Sequence, residues 1–344
     1  MGETQRDVTI RDIAERVGVS AGTVSAALTG QRKRVFVSDE TRKRVFAAAE
    51  AMGYPLERLR AREQQLRRIA VFFPVGPNTV FHATALELCR VLSERGLYVL
   101  THMVDDYSKV AGEAARLYRH HEADGVILIG SAAHYQSEVL RGFPCVVIGE
   151  LPDGHATWQV VADNEQLGGL VAQHLWTLGH RRVGFAYCAS NPLPAERRLR
   201  GLRLGWEEAG GAFGPEHVLT TRTDSVEELA ETLPAFVEGT GSRRGPLSAV
   251  AFWNDWMALA GLRALRASGL RVPEDVSVAG FDDVPFAELA DPPLTTVRVP
   301  FADLGAMAAE MLEERLRAPE GETQKRLLGG QLVQRQSTAA IAGG

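Results

Sequence analysis

Three residues in the second half of the chain carry side chains suited to gripping a small polar molecule: Arg198, Asn254 and Asp282. An arginine offers a rigid fork of N–H donors, and Asn and Asp offer paired acceptors for hydroxyls or ring nitrogens. Asn254 and Asp282 each follow an apolar run that reads as a strand. Arg198 reads as the start of a helix that follows a strand and the Pro-containing loop Asn191–Pro194. Strand C-terminal ends are where an open α/β sheet presents ligand-binding groups. Plainer alternatives exist for each. Arg198, with Arg197 and Arg200 beside it, could be a surface residue on an Arg-rich helix. Asp282 could form an Asx-turn, a local role that suits Asp283 better. Trp253 and Trp256 flank Asn254 and Asp255. One of them could stack on the apolar face of a sugar, although core packing is the commoner fate of a tryptophan. Phe81 and His82, after the first strand, and Glu150, after the fourth, are weaker candidates for an opposing wall. His180, in Leu178-Gly179-His180, reads as the anchor of a helix end.

None of these residues forms a catalytic signature. No HExxH, GxSxG or paired-cysteine arrangement occurs. The stretch Gly239-Thr240-Gly241-Ser242-Arg243-Arg244-Gly245 superficially suggests a phosphate loop, but it precedes a strand and lacks the lysine. His120-His121 lacks third and fourth metal ligands. Cys89, Cys145 and Cys188 are isolated and read as small apolar residues in a reducing compartment. No cofactor, no metal and no enzymatic activity are therefore expected.

A second kind of chemistry is written at the other end. In the stretch from Thr9 to Ser25, Ile10, Ile13, Ala14 and Val17 form one apolar helical stripe. Thr9 is a helix cap, and Asp12 three residues on can complete a capping box. Gly18 falls where a chain leaving a helix needs positive φ. Ser20 can cap a second helix running through Val24 to about Leu28. Small Ala14 lets the two helices cross closely. Two capped helices about a glycine turn are the anatomy of a helix-turn-helix, whose second helix lies in the DNA major groove. A third helix follows, capped by Ser38, with Val45, Ala48, Ala49 and Met52 as its stripe and Gly53 as its end.

The elements that must position these groups follow from the texture of the 344 residues. Residues 1–68 carry 14 Lys and Arg against 9 Asp and Glu, and the remainder 24 against 34. A basic head on an acidic body suggests that the head alone meets a polyanion. Residues 54–68 are dense in Arg and Glu and poor in apolar side chains, so they read as a linker. Arg58, Arg60, Arg62, Arg67 and Arg68 would there track phosphates. From Ile69, apolar runs such as Gly125–Ile129, Cys145–Ile148 and Ala249–Trp253 alternate with helical patterns such as Gln166–Leu178 and Arg197–Ala209. That alternation predicts parallel sheets covered on both faces, in a number too large for one sheet. Two doubly wound lobes with a ligand between their strand ends is the natural solution. Met1 is followed by polar residues with no apolar signal region, and no run of about 18 apolar residues occurs. A cytoplasmic, nucleoid-associated protein with no membrane partner is expected.

The Thr9–Ser25 stretch closely resembles the N-terminus of the lactose-repressor-like (LacI/GalR) transcriptional regulators, and the resemblance extends from about Val8 to Thr338. Its marks in the body are Asp163-Asn164, Leu178-Gly179-His180-Arg181-Arg182, Arg198-Leu199-Arg200-Gly201 and Trp253-Asn254-Asp255. They continue with Val272-Pro273-Glu274-Asp275-Val276-Ser277-Val278, Gly280-Phe281-Asp282-Asp283, Leu294-Thr295-Thr296-Val297 and a closing strand, Leu332 to Ser337. The resemblance implies an all-α helix-turn-helix domain (1–54), a hinge (55–68) and a periplasmic-binding-protein-like α/β core (69–344). Within that core, one lobe takes about 69–162 plus 297–324, and the other about 163–296 plus 325–340. It implies a repressor that binds a near-palindromic DNA operator as a homodimer, controlled by a small-molecule effector, sugar-like, in the inter-lobe cleft. Arg198, Asn254 and Asp282 match the family's effector-binding positions.

At the DNA end the resemblance places Thr9, Ser20, Ala21, Gly22, Thr23, Ser25, Ala26, Tyr54 and Leu59 among the DNA-binding positions, with Ser20 and Thr23 on phosphates. Three departures stand out. Ala21, Gly22 and Ala26 have no hydrogen-bonding side chain where base readers are expected, which leaves contact with thymine methyls or simple close approach. The loop Gln31–Phe36 is some three residues longer than shorter versions and carries Arg32, Lys33 and Arg34, which could add phosphate or groove contacts. The hinge reads Tyr54-Pro55-Leu56-Glu57, with Glu63 where a minor-groove wedge leucine would stand, so Leu59 or Leu66 must take that role in a shifted register, or the operator is not kinked in the usual way.

Overall fold

The computed structural model describes residues 8–29, 37–54, 67–75, 79–130, 137–154, 157–189, 192–239, 245–318 and 322–341. Arg32, Lys33, Arg34 and Leu59 lie outside them, as does the hinge 55–66. The chain divides into two compact units, Met1–Arg67 and Arg68–Gly344.

The first unit holds helices α1 (Ile10–Val17), α2 (Ala21–Thr29) and α3 (Asp39–Ala51). The Thr9 hydroxyl accepts from the Asp12 N–H, and Asp12 Oδ2 accepts from the Thr9 N–H at 2.7 Å, so the capping box forms. Gly18 adopts φ 71°, where a side chain would be strained. Ser20 Oγ accepts from the Thr23 N–H at 3.0 Å, and Ser38 caps α3 in the same way. Ile13, Ala14, Val17, Val24, Ala27, Leu28, Val45 and Ala49 form the core. Arg44 on α3 donates to the Val17 carbonyl at the open end of α1.

The second unit contains two six-stranded sheets. The first is built from β1 (Arg68–Pro74), β2 (Tyr98–Val104), β3 (Gly125–Ile129), β4 (Cys145–Ile148), β5 (Trp158–Ala162) and β11 (Lys325–Leu328). Its order is β11-β5-β4-β3-β1-β2, all parallel. The second is built from β6 (Val183–Cys188), β7 (Val218–Thr221), β8 (Ala249–Phe252), β9 (Ser277–Asp282), β10 (Thr295–Arg298) and β12 (Gln331–Val333), in the order β12-β10-β9-β8-β6-β7. All its pairings are parallel except that of the edge strand β12 with β10. The inner strands β3, β4, β8 and β9 are buried throughout, as strands covered on both faces must be.

Among the described residues, seven longer helices and three short ones flank the sheets. Those that matter below are α4 (Thr79–Glu94), α5 (Tyr107–Arg119), α6 (Ser137–Arg141), α7 (Asn164–Thr177), α8 (Pro192–Glu208), α9 (Val226–Glu238), α10 (Asp255–Ala267), α11 (Pro285–Leu289) and α12 (Phe301–Arg317). Two elements depart from the sequence-based expectation. The helix α12 was not foreseen; its buried stripe of Leu304, Ala308, Met311 and Leu312 is diluted by small residues, and it packs on α4 and β4 of the first lobe. The strand β11 joins the first sheet, beside β5, whereas the expected boundaries put 325–340 in the second lobe. The physical reason is that the outer edge of β5 is open to parallel pairing, so the chain returns for four residues before crossing again. Arg68, assigned to the hinge, is already the first residue of β1. No described helix is long and apolar enough to cross a membrane.

Candidate functional site

A cleft opens where the C-terminal ends of the two sheets meet. Ile129, Ile148 and Ala162 contribute from the ends of β3, β4 and β5, and Asn254 and Asp282 from the ends of β8 and β9. All six cleft residues expected from the sequence line it: Arg198, Asn254, Asp282, Trp253, Phe81 and Glu150.

Arg198 is buried and lies well inside α8, as its seventh residue, because Pro192 and Pro194 occupy the helix's first turn, where a missing N–H does no harm. This corrects its placement at the start of the helix. Its Nε donates to Asn164 Oδ1 at 3.0 Å, its Nη2 to Asp282 Oδ1 at 3.1 Å and its Nη1 to the Trp253 carbonyl. The guanidinium carbon sits 5.0 Å from the Phe281 ring centroid. Asp282 is no Asx-turn residue: the Val284 N–H two residues on donates to Asp255 Oδ2, and Asp282 Oδ1 holds Arg198. Its φ is 114°, and that of Asp283 is 56°. Two successive non-glycine residues in the positive-φ region are costly, about 1–3 kcal/mol each, and such strain gathers at functional sites. It sends the two carboxylates apart. Asp282 lines the cleft, and Asp283 accepts from Arg298 Nε and Arg335 Nη2, both at 2.6 Å. Burial pushes the Asp282 carboxyl up to about 6, against the lowering effect of Arg198.

Asn254 caps α10, its Oδ1 accepting from the Met257 N–H at 2.7 Å. That bond takes one lone pair of the oxygen; the other lone pair and the two N–H donors are what the amide can offer a ligand. Trp253 forms part of the cleft wall, and its buried indole N–H has no partner among the described residues. Trp256 instead packs edge-on against Phe286 on the outer surface, away from the cleft lining. Glu150 is buried; its Oε2 accepts from Asn164 Nδ2 at 3.0 Å and its Oε1 from Lys325 Nζ at 3.3 Å. The rest of the first-lobe wall is mostly apolar, with Val80, Phe81, Ile129, Ile148 and Val161, and Phe301 and Leu304 from α12; its polar member is Thr84, whose hydroxyl donates to the Val80 carbonyl at 3.0 Å. His82 is not among the lining residues and meets Phe73 edge to face. His180 does anchor a helix end: its N–H reaches the Leu175 carbonyl and its Nδ1 pairs with Ser248 Oγ at 2.9 Å.

Two buried polar residues escaped the list of sequence candidates. Asn164 joins Glu150 to Arg198, and Asp255 sits beneath the cleft floor, accepting from Thr296 Oγ1 and the Val284 N–H. Both stood inside quoted motifs, as neighbours of Asp163 and Asn254. Their importance depends on partners more than ten residues distant, which no local pattern shows.

In the helix-turn-helix unit, Ala21 and Gly22 are exposed on the first turn of α2. The hydroxyls of Ser20 and Thr23 hydrogen-bond each other at 2.8 Å, and the Thr9 hydroxyl bonds Asp12 Oδ2 at 2.6 Å. Ser25 and Ala26 are half-buried on α2, and Tyr54 packs against the unit's apolar core.

Residues 9–55 match the profile of bacterial regulatory proteins of the lacI family, and residues 172–338 that of the periplasmic binding protein-like domain. The HTH-type transcriptional regulator reg1 of Streptomyces lividans is 30% identical to this chain, over 97% of both. The chain belongs to the LacI family of transcriptional regulators. Another LacI-family relative, the ribose operon repressor of Escherichia coli K12, is 29% identical over 96% of this chain and 99% of its own. A solved complex of the transcriptional regulator CelR with cellobiose superposes with a TM-score of 0.68 at 27% identity, covering 96% of this chain and 99% of that one. These relatives are regulators, and the LacI-family chain described here is a regulator and not an enzyme.

Proposed function

We propose that this LacI-family regulator is a repressor that binds a near-palindromic operator as a homodimer and is controlled by a small sugar-like effector held in the cleft. The observation that carries the reading is the cluster of Arg198 from α8 with Trp253, Asn254 and Asp282 at the strand ends of the second sheet, facing a first-lobe wall that is apolar but for Thr84 and Glu150. The charged groups are paired among themselves, Arg198 with Asp282 and Glu150 with Lys325. An uncharged, hydroxyl-bearing ligand with an apolar face suits that balance better than an anion. The likeness to the CelR–cellobiose complex supports a sugar.

DNA contact rests on the α2 face, with Ser20 and Thr23 at phosphates and Ala21, Gly22 and Ala26 against base edges, aided by Thr9, Ser25, Tyr54, Leu59 and the loop of Arg32, Lys33 and Arg34. The exposed apolar residues Leu86, Tyr98 and Met103 on the first lobe, and Trp256, Phe286 and Leu289 on the second, support a dimer that buries them. Such a protein works in the cytoplasm, where its operator is. A thermal-shift screen of neutral mono- and disaccharides, nucleosides and their phosphorylated forms tests the cleft. A neutral sugar should raise the melting temperature and release the chain from its own upstream DNA in a gel shift. A chain that ignores that DNA with and without every compound would sink the reading.

A further inference from the structure

The polar groups behind the cleft pass from one lobe to the other through the Asn164 amide and, beside it, through Arg197, which pairs with Asp153 and approaches Glu150. Asn164 is only 5% exposed. Its Nδ2 donates to Glu150 Oε2 and its Oδ1 accepts from Arg198 Nε, each at 3.0 Å. Glu150 follows β4 in the first lobe, and Arg198 belongs to α8 in the second. The partners carry opposite charges, so the orientation of the amide is dictated: only its donor end can face the carboxylate and only its acceptor end the guanidinium. Aspartate would lack the donor, and leucine would leave both charges facing an apolar group.

The position is as telling as the pairing. Asn164 comes two residues after the end of β5, where the chain first crosses between the lobes and where a change of lobe angle must be taken up. Other charged groups gather around the same link. Lys325 and Arg197 approach Glu150 from β11 and α8, Arg197 also pairs with Asp153 and Glu165, and Asp282 holds the far side of Arg198. We propose that Asn164 is a positioning residue that sets the angle between the lobes, by tying Arg198 to Glu150 and so holding the two cleft walls in register before any ligand arrives.

The test needs no ligand. Cysteines placed at Arg119 on α5 and Glu231 on α9, both exposed, take spin labels that report the distance between lobes. Doubly labelled chain is diluted with unlabelled chain, and the chain without added cysteines serves as control for Cys89. The otherwise unaltered protein should give the same distance at pH 5.5 and pH 8. Asn164→Asp sets two buried carboxylates face to face, which cannot both ionise at hydrogen-bond distance. That variant should show a longer, broader distance at pH 8 that returns to the unaltered value at pH 5.5, when a shared proton restores the bond. Combining Asn164→Asp with Glu150→Gln exchanges amide and carboxylate, and should restore the unaltered distance at both pH values. A merely structural residue would lower the melting temperature without this pH signature or this rescue. An Asn164→Asp distance equal to the unaltered one at pH 8 overturns the proposal. If that variant fails to fold, the double variant decides: native folding with the unaltered distance supports the proposal, and failure to fold overturns it.

Discussion

Burial pushes the Asp255 carboxyl well above the usual carboxylate range, and the neighbouring Asp282 pushes it further. Both its oxygens accept hydrogen bonds, from Thr296 Oγ1 and the Val284 N–H, and no cation among the described residues pairs with it. Asn at this position can accept from Val284 and donate to Thr296, whose hydroxyl also accepts. Asp255→Asn should therefore keep its melting temperature at pH 7, whereas Asp255→Ala, which strands two buried donors, should cost about 1–3 kcal/mol in chemical denaturation. Asp282 obeys a related rule with a different outcome. Its folded pKa of about 6 lies above its ordinary 3.8. Its contribution to stability is then complete below that ordinary value and is lost as the pH rises through 6. A ligand hydroxyl donating to its charged form follows the opposite course. Calorimetry with the compound found by the thermal-shift screen should show affinity falling as pH drops from 7.5 to 5.5, and a flat profile would remove Asp282 from the binding role. Arg198, Asn254 and Asp282 were legible in the sequence because each stands by an apolar run or inside a motif. The engaged oxygen of Asn254 was not, since its cap bond depends on where α10 begins.

At the scale of elements, α7 and α8 cross so closely that glycine is required on both. A Cβ on Gly168 would come within 2.0 Å of the Arg198 carbonyl oxygen, and one on Gly201 within 1.9 Å of that of Glu165. Backbone cannot yield as a flexible side chain can. Gly201→Ala should push α8 off α7, lower stability by about 1–3 kcal/mol or more and abolish effector binding, because Arg198 moves with the helix. Unchanged binding with lowered stability would show that the crossing does not position Arg198. Strand and helix positions were readable wherever apolar periodicity was strong, as at Gly125–Ile129 and Cys145–Ile148. The helix α12 was not, because Gly305, Ala306, Ala308 and Ala309 blur its stripe, and burial against α4 is what makes it helical here.

For the whole molecule, the exposed apolar residues on both lobes set the expectation for assembly. Leu289 is 79% exposed and Leu86 73%, unusual for leucines with no partner to cover them. Leu289→Glu together with Leu86→Glu should give a monomer in analytical ultracentrifugation with unchanged secondary structure and much weaker operator binding, since one helix-turn-helix reads half a site. Neutralising Arg32, Lys33 and Arg34 should weaken DNA binding and lower the salt slope by about one unit per lost phosphate contact. An unaltered slope would remove that loop from the interface.

The amino-acid sequence alone determined the helix-turn-helix, because caps, turn glycine and stripe act within about ten residues, and it determined the two-lobed α/β class, because buried strands need continuous apolar runs. It also carried the family. Only the tertiary structure decided that β11 returns to the first sheet, that the Asn254 oxygen caps α10, that Asp282 holds Arg198 and that Asn164 joins the lobes. Each of these depends on a partner brought from 14 to 166 residues away, or on where a helix begins. Hydrogen-bond partners of buried polar groups are chosen by packing, and packing is not written locally.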